Sequence, residues 1–111
     1  MAKDDYHVIV YKVLGYLYRQ LKKGEPVDPE MIRPGSKICP INETYWKYIL
    51  TTMQEEKLIR GLDIEEGQED FDPDDEQLKR LIITVKGIEL LSDNQLGDRV
   101  DKLIKGILNI G

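Results

Sequence analysis

Across residues 42–91 the chain lays out a capped amphipathic helix, a strand, an acidic connection, a second strand and another helix. That order predicts an α+β, mainly α fold: a winged helix-turn-helix with a small antiparallel hairpin as the wing and an additional C-terminal helix. Three observations carry the prediction. Trp46, Ile49, Leu50 and Met53 recur at helical spacing behind Asn42, a good N-cap residue. Leu58-Ile59 and the apolar run at 81–84 bracket a turn-rich acidic stretch, as two paired strands do. The second strand then runs straight into a further helical pattern at 85–93, with Thr84 placed to cap it.

The chain has 111 residues, enough for a single domain over 1–111 and too few for two. A helix is expected over 6–23, capped by Asp4 or Asp5 and stopped by Gly24. Its buried stripe is Val10, Val13, Leu14, Leu17 and Leu21, with Lys12, Arg19, Lys22 and Lys23 in water. Asp28-Pro29 followed by Glu30-Met31-Ile32 reads as a cap, a proline at the first helical position and one short turn. Residues 38–41 read as either a short strand or an extended approach, because Cys39 precedes a proline. The helix over 42–57 occupies the recognition position and turns Thr44, Lys47, Tyr48, Thr51 and Glu55 outward. Strands are expected over about 58–64 and 78–84, joined by an acidic wing at 63–77, and a final helix over 96–109. The stripe of that last helix, Leu96, Val100, Leu103, Ile104, Ile107 and Leu108, either covers the domain's own core or pairs two copies as a homodimer.

Hydrophobic residues make up 41% and charged residues 33%, which fits a soluble protein, and no apolar run is long enough for a membrane helix. The opening residues lack a signal-peptide pattern and Cys39 is the only cysteine, so a cytoplasmic location is expected. The net charge of −5 is uneven: nine carboxylates and no Lys or Arg lie between Asp63 and Glu76, leaving +4 on the remainder.

The opening string AKDDYHVIVYKVLGYLY at 2–18, Tyr45-Trp46, and the exit Lys57-Leu58-Ile59-Arg60-Gly61 together resemble the YjcQ family over roughly residues 2–93. The resemblance implies a small protein of Gram-positive bacteria and their phages or prophages, with a winged-helix-like fold and no assigned catalytic activity. It carries over no functional residues.

Two uses of the fold stay open. As a DNA-binding, regulator-like module the chain would place Thr44, Lys47, Tyr48 and Thr51 against base edges of double-stranded DNA, with Lys37 and Lys3 on phosphates. Against that, a wing with nine carboxylates is repelled by phosphates. As a protein-interaction adaptor, the chain would use Asp70, Asp72, Asp74 and Asp75 to engage a basic protein partner. The same loop also reads as an internal gate over the basic site, or as a solubilising segment. No catalytic residue, cofactor or metal is expected. His7 stands apart from Cys39, which reads as a half-buried apolar filler. The Asp70, Asp72, Asp74 spacing of a calcium loop has Asp75 where glycine is required and Leu81 where the bidentate glutamate belongs. The Asn42-Glu43-Thr44 acceptor sequence reads as a helix cap.

Overall fold

The structure, a computed structural model, describes residues 6–64 and 72–92. In chain order they form α1 (Tyr6–Lys23), α2 (Pro29–Ile32), α3 (Glu43–Glu55), β1 (Ile59–Arg60), α4 (Asp75–Lys79), β2 (Ile82–Ile83) and α5 (Val85–Ser92). The described part is thus mainly helical, with one two-stranded antiparallel sheet that pairs Ile59 with Ile83 and Arg60 with Ile82. The final helix expected over 96–109, the homodimer it suggested, and the Asp4 or Asp5 cap all lie outside the described residues.

α1 is the central element and packs against β2, α5 and α3. Its apolar surface is accordingly wider than a single stripe. Ile9, Tyr11 and Tyr16 are buried together with Val10, Val13, Leu14 and Leu17. Three expectations for this helix fail. Lys12, placed in water by periodicity, is only 7% exposed, because elements cover α1 on more than one side. Leu21, placed in the core, is 45% exposed. It lines an open groove of about 200 Å³ with Leu17, Pro26, Val27, Leu81 and Ile82, past the point where the core covers the helix. Arg19, also expected in water, is half-buried with its Nε enclosed. The helix stops at Gly24, whose φ of +70° is easy only for glycine, and the Glu25 amide donates back to the Gln20 carbonyl at 3.0 Å.

Asp28 caps α2 by accepting from the Glu30 amide, and Pro29 fills the first turn. Residues 38–41 make no strand; they bend on the way into α3, with the Ile41 amide donating to the Cys39 carbonyl at 2.8 Å. Trp46 then ties α3 to α2: its indole Nε1 donates to the Ile32 carbonyl at 2.7 Å inside the core. Trp46, Ile49, Leu50 and Met53 are all buried, as their spacing requires. α3 ends at Glu55 and not at 57, because Lys57 adopts a left-handed φ of +63° and lets the Leu58 amide donate to the Met53 carbonyl.

The hairpin is shorter than the sequence suggests. Only two residues per strand pair, and the segment read as the tail of the acidic wing and the start of the second strand folds as α4. Asp74 caps α4 by accepting from the Gln77 amide, Asp75 and Glu76 suit its N-terminal dipole, and Leu78 anchors it with no exposed surface. Local helical signals therefore win over strand pairing across 75–79.

The two strands close through one junction. The Leu58 carbonyl accepts from the Thr84 amide at 3.0 Å, and the Thr84 hydroxyl donates to the Lys57 carbonyl at 2.6 Å. That hydroxyl also accepts from the Gly87 amide, capping α5. Gly87 is buried at this spot. A Cβ there would sit 2.5 Å from the Leu58 carbonyl oxygen and 2.8 Å from Ile83 Cγ1. Gly87→Ala is therefore expected to destabilise by about 1–3 kcal/mol despite alanine's better helix propensity. Lys57→Gly, which relieves a left-handed lysine, is expected to stabilise by up to about 1 kcal/mol. Urea denaturation of the two variants checks both, and their effects should have opposite signs.

Candidate functional site

The outer face of α3 is the surface the sequence singled out, and its local construction begins at Asn42. The Asn42 Oδ1 accepts from the Tyr45 amide at 2.8 Å, which fixes the helix start and so the rotation of every later side chain. With the apolar face turned inward, Thr44 and Tyr48 are exposed, Tyr48 to 61%, while Lys47 and Thr51 are half-buried. Lys37, in the approach to α3, is exposed.

Lys47 does not present an isolated positive charge. Its Nζ lies 3.1 Å from the Glu43 carboxylate, one helical turn earlier, and 3.8 Å from Asp72 at the return of the acidic segment. Pairs this exposed add little stability, on the order of 0.3–0.5 kcal/mol for a helical i,i+4 pair. Their consequence is electrostatic: the cation of this face has two carboxylates beside it, and Glu55 and Glu56 add more negative charge at the helix end.

Of the four aspartates expected to act together, the three among the described residues have separate roles. Asp72 faces Lys47. Asp74 is committed to capping α4. Asp75 pairs with Arg33, which also meets Glu30 at 3.2 Å, so this carboxylate joins α4 to α2. Asp70 lies outside the described residues, as does Lys3.

Two glutamines that sequence reasoning passed over hold the acidic segment at its root. The Gln54 amide donates to the Leu62 carbonyl at 3.0 Å and accepts from the Leu62 amide at 2.9 Å, acting as a short extra strand beyond β1. The Gln77 Oε1 accepts from the Asp63 amide at 3.1 Å. Neither pairing has a sequence signal, because each joins residues that only the hairpin brings together.

Tyr6 on α1 and Tyr45 on α3 are both partly buried against the core. Burial pushes the Tyr6 phenol above its ordinary 10.0, and the neighbouring Tyr48, Glu56 and Tyr45 push it the same way. His7 is exposed, its ring edge-on to Tyr6 at 5.3 Å. Cys39 is fully buried where the sequence suggested half-burial. Burial raises its thiol from 9.0 to about 12, with Lys12 offsetting part of the effect. Among the described residues no group of three His, Cys, Asp or Glu side chains converges as metal ligands would.

The Cys39 shift has a direction that experiment can read. The folded thiol is the weaker acid, so its contribution to stability is complete below pH 9 and is lost as pH rises from there towards about 12. Between pH 9 and 10 the stability of the natural chain should fall faster than that of Cys39→Ala, by up to about 1.4 kcal/mol per pH unit. Urea midpoints across that interval measure the difference. A thiol reagent at pH 8 should label the unfolded chain and leave the native one almost untouched.

No helix of the described residues is long and apolar enough to cross a membrane. Neither the curated proteins nor the solved structures provide a match to this sequence. A family model described as YjcQ protein matches residues 11–110. The match begins inside α1, later than the opening string that carried the resemblance, and continues beyond α5 to take in most of the C-terminal segment. Spanning nearly the whole sequence, it establishes that the chain belongs to the YjcQ protein family.

Proposed function

We propose that this YjcQ-family chain is a non-enzymatic winged-helix module that binds a basic protein partner through the outer face of α3 and the adjoining root of its acidic segment. The winged-helix reading draws on element order: α3 sits behind a capped turn, leads directly into β1, and β1 pairs antiparallel with β2. The observation that carries the partner class is the charge around α3. Lys47, the cation expected to approach a phosphate or a base, lies between Glu43 and Asp72.

Affinity for DNA comes largely from neutralising phosphates, so this face would have to release two carboxylates before it gained one contact. A cationic polypeptide meets the same charges as attraction. Duplex DNA is the second reading, supported by the exposed Thr44, Tyr48 and Lys37, which supply hydrogen bonds and one positive charge.

The decisive comparison is binding of the full chain, at about 50 mM salt where surface charge is weakly screened, to a mixed-sequence DNA duplex and to a lysine-rich polypeptide. The polypeptide is expected to bind and the duplex to leave no shifted band. Glu43→Gln combined with Asp72→Asn should weaken the polypeptide several-fold. Asp74 and Asp75 are left intact, since changing them would disturb α4 and not merely its charge. Tighter binding to the duplex than to the polypeptide would reverse the order of the two readings.

A further inference from the structure

The cation at the middle of the α3 face belongs to the chain itself. Lys47 Nζ lies 3.1 Å from the Glu43 carboxylate and 3.8 Å from that of Asp72. Glu43 stands one turn before Lys47, the favourable order for such a pair, so this contact forms with the helix. Asp72 arrives from the returning limb of the acidic segment and meets the same ammonium only in the folded chain. The lysine is the more enclosed partner in both pairs: its side chain is 31% exposed, against 63% for Glu43 and 77% for Asp72. Both carboxylates thus stay open to solvent on the side away from Lys47.

We propose that Lys47 is a built-in competitor of the basic partner: its ammonium occupies the position between Glu43 and Asp72 that a partner's cation takes on binding, and the partner docks by displacing it. The inference rests on the protein-partner reading above and deepens it by adding an autoinhibitory contact to the same site. Two effects of Lys47 have the same sign. Its ammonium satisfies the carboxylates that would attract a cation, and its charge repels any cation that reaches them, at a separation far inside the screening length of about 10 Å at 0.1 M salt. The four-carbon stem allows the ammonium to swing out into water when it is displaced. Pairs as exposed as these hold weakly, so Lys47 lowers the affinity of the site without closing it.

The test measures binding of a hexa-lysine peptide to the full chain by titration calorimetry at about 50 mM salt. Lys47→Met keeps the apolar stem and removes the charge, and is expected to bind the peptide roughly three- to fivefold more tightly than the natural chain, the size of releasing two exposed pairs. Lys47→Gln, neutral and polar, should reproduce the gain. Lys86→Met removes the same charge from an exposed residue of α5 and reports the effect of net charge alone, which should be smaller. In a chain that already carries Glu43→Gln and Asp72→Asn, Lys47→Met should add no more than Lys86→Met does, because the carboxylates it would free are gone. Equal gains from Lys47→Met and Lys86→Met, or a Lys47→Met gain that persists without the two carboxylates, overturn the competitor and leave the basic-partner reading standing. Failure of the natural chain and of both Lys47 variants to bind the peptide overturns the two together.

Discussion

The junction of Leu58, Thr84 and Gly87 is the contact on which the arrangement of this chain depends. One carbonyl, that of Leu58, accepts from the Thr84 amide and forms the floor on which the bare Cα of Gly87 rests. Thr84 joins the end of α3, the sheet and the start of α5 through a single hydroxyl. Two strands of two residues each could not hold a register by themselves, since so short a ladder contributes few hydrogen bonds. The junction supplies what the ladder lacks, and Ile59 and Ile83 then bury side by side beneath α1. Leu62 and Asp72, on the two described sides of the acidic stretch, are thereby held beside α3.

That pinning explains the electrostatics of α3. An acidic segment attached elsewhere would influence the helix only through a screened field over about 8 Å. Here Gln54 grips Leu62 on the way out and Asp72 stands beside Lys47 on the way back. The carboxylates at this root divide into two kinds. Asp74 and Asp75 serve the fold, as the cap of α4 and as the link from α4 to Arg33 on the far side of α2. Asp72 pairs with Lys47 and so acts on the charge of the surface. A net count over the acidic stretch conceals this division.

Much of the core was legible from spacing alone. Trp46, Ile49, Leu50 and Met53 lie one helical turn apart behind an asparagine cap, and all four are buried. The Asp28-Pro29 start of α2 and the Gly24 stop of α1 are local signals that need only their immediate neighbours. The errors fall where distant chain decides. Periodicity gave α1 one wet face, yet it is covered on several sides, so Lys12 is buried; near its end cover runs out, and Leu21 is exposed. Strand propensity was extended back into 78–80, whereas the Asp74 cap and Leu78 anchor turn 75–79 into helix. For the candidate surface, the outward direction of Thr44 and Tyr48 followed from helix geometry, while the pairing of Lys47 with Asp72 did not.

By itself, then, the sequence determined α1, α2, α3 and α5, the caps at Asp28, Asn42 and Thr84, and the apolar face of α3, because these arise from interactions within four residues along the chain. Tertiary structure alone decided how short the hairpin is, which aspartates are structural, and which charges stand together beside α3. The physical reason is range: Lys47 with Asp72, Gln54 with Leu62, and Lys57 with Thr84 are contacts between residues far apart in sequence, and each exists only after the strands have closed.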